Sequence, residues 1–600
     1  MKKHLFTCFL ASLFLYGSEL KAQVDVSPIG ADFLHRSVPQ VSPEQGDLHR
    51  GGETRPDTLP EDGSLVDYSG IHGQEGESPS AFDTLGSAVV WGMVSEYSDR
   101  DVVFLEVYQD YYFNSANAPE SSFVTMPLAP GKLMEGAYPK DKIFQYNLLD
   151  MEGNHWLSLK LKGSGYILDR MLIQPGDSVQ VYIDLEKTQV MFAGPQADKF
   201  KFQYGLQLLE REYYLDRDRV MVTDGVEKIM NDPVHGKDYR EVMLGAGPKM
   251  TFITRGAEEL TRIRSFDPYA KGGVLAVKAA FIETWEDRLD GDYLAFFKRE
   301  GQLDEWRKHL GKINNALKFA EIRGDSSMIA SLTTLGKERL QLAEQEVENW
   351  LFAFSAELME YTDLKTRLAS RLSGKPDLDI IQSITPDWLR EKALVRKFYK
   401  AYESIENVDA SLLDALGTVN GGDAHDLLTA LAKLKSTGSP VSGFEFLSRQ
   451  GDPVSLEELD AELFFVEFWI TGCKACVAFK ENTLTQIQEK FGEDPRLKVI
   501  TVSADFTREV WEKSLQSNKY TLPGFTNLYT GEGNRKHPFL REYGIRTFPN
   551  RIILDGEGRI LMVSNVPFSG DELIPLIQGY LEKSSLSVSE SELHNKQTIE

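Results

Sequence analysis

At 600 residues and a formal net charge of −25, the chain is too long for one hydrophobic core and too acidic for nucleic acid or an anionic membrane surface to be a natural partner. Its length predicts three or four folded units at about 150 residues each. Three cysteines in the whole chain exclude a disulfide-stapled scaffold.

The first segment reads as an export signal. Met1-Lys2-Lys3-His4 is basic, Leu5 to Gly17 is mostly apolar, and Ala22 offers a small residue for cleavage before Gln23. That apolar core is shorter than the about 20 helical residues a bilayer crossing needs. Residues 1–22 therefore predict a cleaved signal peptide, a periplasmic mature protein and no integral membrane span. Cys8 lies inside the apolar core rather than after it, which is the wrong place for a lipid anchor. Residues 23–82 carry Pro28, Pro39, Pro43, Pro56, Pro60 and Pro79 among Gly, Ser, Asp and Glu, and predict a flexible linker.

Short β-branched and aromatic runs follow. Ala88 to Val94, Val102 to Tyr108, Trp156 to Leu161 and Val179 to Ile183 read as strands, with turns such as Gln174-Pro175-Gly176-Asp177 between them. Residues 83–200 predict an antiparallel β domain. Residues 201–437 change to helical spacing: Leu340, Ala343, Val347 and Leu351 form one stripe, and Val274 to Trp285 and Trp388 to Tyr402 show the same period. This part predicts an all-α region, read as spacer or scaffold. Thr437-Gly438-Ser439-Pro440 marks a junction.

From residue 440 to 583, strands and helices alternate as a mixed α/β sheet requires. Leu463 to Ile470 reads as a buried strand, with a helix starting at Cys473 that shows Leu484, Ile487 and Phe491 on one face. A strand at Leu497 to Ser503, helices at Thr507 to Lys519 and His537 to Tyr543, and a hairpin of Arg551 to Leu554 with Arg559 to Val563 come next. An amphipathic helix from Asp571 to Leu581 closes the unit, and residues 584–600 predict a disordered tail.

Two of the three cysteines stand in Cys473-Lys474-Ala475-Cys476, where strand passes into helix. A helix N-terminus favours an anion, so Cys473 is expected to ionise below the about 8.5 of a free thiol, with Lys474 acting in the same sense. Cys476, one turn further in, is placed to resolve a mixed disulfide. Glu467 lies on the preceding strand. It reads either as a buried carboxyl that exchanges the Cys476 proton, or as a capped or solvated strand-end residue.

These residues resemble the exported TlpA/ResA-like thiol-disulfide oxidoreductases of the thioredoxin superfamily. The likeness runs from Phe444-Glu445-Phe446 and Gly451-Asp452-Pro453-Val454-Ser455-Leu456 through Val466-Glu467-Phe468-Trp469 and the two cysteines. It continues in Asp505 to Trp511, Tyr543-Gly544-Ile545, and Pro549 ahead of Ile552-Ile553-Leu554-Asp555. It implies an α/β thioredoxin fold and a redox couple of Cys473 and Cys476, with Glu467 as the buried acid. It further implies a cis peptide between Phe548 and Pro549 on the substrate face. Departures are Gly472 where the family has Trp, Ala475 where Pro is common, Glu481 at a further Pro position, and the bulky Phe548. The β-rich part, with Pro175-Gly176-Asp177-Ser178 and Phe192-Ala193-Gly194, is similar to an uncharacterised domain preceding such modules in Bacteroidetes proteins.

Other uses of a cysteine pair fit less well. A closed zinc site needs four ligands, and the ten histidines show no matching spacing, so no metal is expected. Copper carriers on this fold space their cysteines one residue wider. The expectation is a thiol-disulfide oxidoreductase with no cofactor, exchanging with protein thiol or disulfide substrates and with a partner dithiol protein. Whether it reduces or oxidises stays open. The alternative is a non-catalytic assembly protein that uses this domain as a scaffold.

Overall fold

The computed structural model describes residues 23–24, 86–95, 101–115, 118–131, 141–161, 165–185, 187, 189–215, 217, 219–233, 236–237, 249–347, 352–441 and 445–597, the last fourteen by their backbone. The expected signal peptide (1–22) and, apart from Gln23 and Val24, the expected linker (23–82) lie outside the described residues. The chain divides into two compact units. One comprises Met1–Leu105, Val124–Glu259 and Tyr269–Lys298; the other comprises Glu106–Phe123, Leu260–Pro268 and Arg299–Glu600.

The N-terminal sheets form where β-branched alternation leads one to expect them. A five-stranded sheet runs in the order Gln189–Ala193, Ser178–Asp184, Gly86–Ser95, Lys142–Met151 and Ala129–Pro130. One pairing departs from the antiparallel expectation: Gly86–Ser95 and Ser178–Asp184 run parallel. Several strands intervene between the two in sequence, so the chain has the length a parallel crossover needs. A four-stranded sheet has the order Ser121–Pro127, Val102–Tyr108, His155–Leu161 and Tyr166–Ile173. The helix Ala197–Leu215 is tied to the last of these through Gln203, whose side chain donates to Leu172 O at 2.9 Å and accepts from Leu172 N.

The region read as all-α is corrected at its start. Arg219–Thr223 and Met250–Thr254 are paired parallel strands. Each is only five residues long, too short for its alternation to stand out against the helical period around it. Helices then dominate: Gly291–Arg323, Ser326–Val347, Ala356–Ser373, Asp387–Ala401, Val408–Thr418 and Gly422–Lys435. Ala343 and Val347 of the expected stripe are buried. Ser355 caps Ala356–Ser373 by accepting from Leu358 N, and Gly374 ends it in the left-handed conformation that glycine adopts without steric cost.

The C-terminal sheet carries the site, and its elements are labelled here. They are β1 (Glu445–Leu447), β2 (Pro453–Ser455), β3 (Leu463–Trp469), α1 (Lys474–Phe479), β4 (Leu497–Ser503), α2 (Arg508–Ser517), β5 (Thr526–Tyr529), α3 (Pro538–Glu542), β6 (Asn550–Asp555), β7 (Ile560–Met562) and α4 (Gly570–Gln597). The sheet order is β2-β1-β5-β4-β3-β6-β7. β3 is central, parallel to β4 and antiparallel to β6. All seven of its residues are buried, which is why it reads as an apolar run interrupted only by Glu467. Phe465, Phe479, Leu484, Ile487, Ile553, Leu573 and Ile577 share one core cluster between the sheet, the α1 side and α4.

Two differences from expectation stand out here. α1 passes through a π turn at Lys480–Leu484 before continuing as Thr485–Phe491, and this turn contains Glu481, the position where the family has proline. α4 continues to Gln597, beyond the expected stop near Leu581 and into the tail read as disordered. After Gly579 no glycine or proline interrupts it, so a helix already nucleated by packing can propagate through polar residues. The junction is not a loose tether: Gly438 N donates to Ile560 O at 2.7 Å, and Val441 N donates to Gly558 O at 2.9 Å. No described helix is long and apolar enough to cross a membrane.

Candidate active site

β3 ends at Trp469, and the chain turns through Ile470, Thr471 and Gly472 into α1. Thr471 is held by Asp505, which accepts from its N–H and its hydroxyl, both at 2.8 Å. Gly472 N donates to the Tyr520 hydroxyl at 2.8 Å, and the Tyr520 ring stacks on Trp469 at 5.0 Å. Gly472 itself sits at φ 87°, and a Cβ there would meet nothing within 4 Å. The departure from tryptophan is thus a matter of backbone conformation, not of space.

Cys473 and Cys476 are joined in a disulfide, with Cα atoms 5.3 Å apart. Cys473 is the N-cap of α1; its Sγ accepts from Cys476 N at 3.0 Å and lies 3.4 Å from the Phe548 carbonyl oxygen. The pair is asymmetric. Cys473 is half-buried, whereas Cys476 is fully buried among Trp469, Trp511, Tyr520 and Tyr529. Lys474, at the first helical position, is exposed. The peptide between Phe548 and Pro549 is cis, and Phe548 packs against the cluster that holds Cys476.

Glu467 is buried and is not a solvated strand-end residue. It is 0% exposed, and neither carboxyl oxygen has a hydrogen-bond partner. Strand alternation puts it on the same face of β3 as Phe465 and Trp469, the face that α1 covers. Burial pushes its carboxyl well above the ordinary range, and the charge of Arg551 pulls the other way. Thr501 and Arg551 stand opposite Glu467 on β4 and β6. The Thr501 hydroxyl is engaged with Thr521 and Asn527, so Arg551 is the charged neighbour that acts on the acid. Its guanidinium lies 5.3 Å from the Phe479 ring centroid and 5.4 Å from that of Phe568.

The structure brings Cys473, Cys476, Lys474, Phe548 and Pro549 to one place, with Glu467 beneath. Sequence reasoning missed Tyr520, the anchoring of Thr471 by Asp505, and Arg551. A cation inside an otherwise apolar strand was the one available signal for Arg551.

Residues 461–560 match the model of a family described as thioredoxin-like. The C-terminal domain belongs to the thioredoxin superfamily. Among solved structures, the chain is similar to the thioredoxin domain of a thiol-disulfide oxidoreductase from Bacteroides vulgatus, at 25% identity over 24% of this chain and 98% of that one, with a TM-score of 0.22. A thiol:disulfide interchange protein from a Bacteroides species matches at 24% identity over 24% and 89%, TM-score 0.21. A thioredoxin-like protein from Bacteroides caccae matches at 16% over 38% and 88%, TM-score 0.25. No curated protein matches the chain. The β sheets and helical region precede this thioredoxin-like domain.

Proposed function

We propose that the chain is an exported, periplasmic thiol-disulfide oxidoreductase that exchanges its Cys473–Cys476 couple with client proteins. The observation that carries this is the asymmetry of the disulfide. One sulfur is partly open at a helix N-terminus, and the other is buried on the face of the sheet that holds an unpaired carboxyl. In the reducing direction the Cys473 thiolate attacks one sulfur of a client disulfide, and the other client sulfur leaves as a thiolate. The Cys476 thiolate, its proton passed to Glu467, then attacks Cys473 Sγ and releases the second client thiolate. Two electrons pass to the client, and a partner dithiol protein restores the pair. The same steps in reverse oxidise a client dithiol. Lys474 and the helix end favour the Cys473 thiolate, while Phe548 and Pro549 form the face on which the client lies. Export rests on the basic and apolar leader.

The test uses full-length protein recovered from the exported fraction, with an N-terminus expected near Gln23. Wild type should reduce insulin disulfides, and Cys473→Ser should abolish this. Cys476→Ser should accumulate mixed disulfides that Cys473→Ser does not form. Equal, slow alkylation of both single-cysteine variants under native conditions would contradict these assignments, and a cytosolic protein that keeps Met1 would contradict export.

A further inference from the structure

Beside the disulfide lies a cation with aromatic walls that the exchange reaction does not use. Phe506 follows Asp505, the residue that anchors the Thr471 turn, and is itself 67% exposed. The Phe548 carbonyl touches Cys473 Sγ. Between these two rings lies Arg535, its guanidinium 5.5 Å from the Phe506 centroid and 5.9 Å from that of Phe548. Arg535 is exposed, and no carboxylate among the described residues pairs with it. It is presented by a turn, Gly531–Lys536, in which Asn534 takes φ 40°, and the turn is pinned at its end by His537. His537 Nε2 lies 3.1 Å from Glu445 O, and its ring stacks on Phe446 at 4.8 Å.

Phe506 offers an exposed apolar ring, and a guanidinium beside aromatic rings keeps N–H groups for another acceptor. In a protein of net charge −25, a cation here runs against the overall balance. Charges further off than about 8 Å are largely screened at physiological salt, so the local cation decides what is recognised on contact. We propose that Phe506, Arg535 and Phe548 form a docking rim for the client segment flanking its reactive cysteine, and that the rim selects clients with a carboxylate next to that cysteine. This rests on the redox reading above and adds the substrate class to it. The client's apolar neighbours cover Phe506 and Phe548, while its carboxylate meets Arg535.

The probes are three peptides that differ only in Glu, Gln or Lys beside a single cysteine capped as a 2-pyridyl disulfide. Attack by Cys473 on the peptide sulfur releases neutral pyridine-2-thione, and dipyridyl disulfide serves as an uncharged reference. With reduced full-length protein, the Glu peptide should react about fivefold faster than the Lys peptide at low salt, the Gln peptide in between. The preference should shrink with added salt, vanish in Arg535→Gln and invert in Arg535→Glu. Phe506→Ser should weaken it. Rates with dipyridyl disulfide should stay the same in every variant. Equal rates for the three peptides with wild type would overturn the proposal, as would a preference that survives in Arg535→Gln. Failure of wild type to react even with dipyridyl disulfide would overturn the redox reading and this one with it.

Discussion

Among the central helices, Arg396 donates to both Glu360 oxygens at 3.1 and 2.8 Å and to Asp363 at 3.2 Å, while Tyr111 adds a further donor to Glu360. In the thioredoxin-like domain, Glu467 is buried with no donor at either oxygen. Burial alone would raise Glu360 and Asp363, but Arg396 beside them outweighs it and holds both at about 2. At Glu467 burial wins, and Arg551 only moderates it. A buried charge with fitted partners holds a fold in one arrangement, whereas a buried acid without them is held ready to take or give a proton. On the redox reading proposed above, the first site serves the fold and the second serves proton transfer.

The largest expected effect is at the architectural site. Arg396→Met leaves two carboxylates without their main partner and should cost about 3–5 kcal/mol, read from denaturant unfolding of the full chain. A loss under about 1 kcal/mol would break the contrast. The pH dependence has opposite signs at the two sites. Glu360 and Asp363, held low, contribute stability that is complete above the ordinary carboxylate value of about 4 and is lost as pH falls toward 2.

Glu467 works the other way. Its folded form holds the proton more tightly than the unfolded chain, so stability declines by about 1.4 kcal/mol per pH unit as pH rises from about 4.3 to the folded value. Glu467→Gln should remove that slope with no loss of stability at neutral pH. It should also slow resolution of a preformed mixed disulfide about a hundredfold, the low end of what a positioned proton carrier contributes. Stopped-flow resolution at wild-type speed would show that the carboxyl carries no proton there.

The smallest effect sharpens the role of Arg551. Arg551→Met should shift the pH at half-maximal resolution upward, because an opposing charge no longer favours the carboxylate. Arg551→Lys should recover part of the shift, and in a Glu467→Gln background the shift should disappear. A shift that persists without Glu467 would mean that Arg551 acts through packing on Phe479 and Phe568 instead.

The residues alone determined most of the C-terminal domain. A run of seven buried residues ending before two cysteines marks β3 and the start of α1, and Leu484, Ile487 and Phe491 turn out buried as their spacing implies. These are local signals, carried by neighbours three or four apart on a helix or two apart on a strand. The strands Arg219–Thr223 and Met250–Thr254, the parallel pairing in the N-terminal sheet, and the continuation of α4 were not legible. Each depends on partners distant in the chain or on propagation from packing. The same holds for the finer parts of the site. Glu467 could be read as buried or solvated until β6 and α1 closed over it, and Arg551 became its neighbour only through the antiparallel register. Phe506, Arg535 and Phe548 come from three separate loops, and nothing in their spacing brings them together. The cysteines and the acid were written in local order; the charges and rings that tune them were set by tertiary packing, because sheet register and loop position are fixed by contacts across the whole domain.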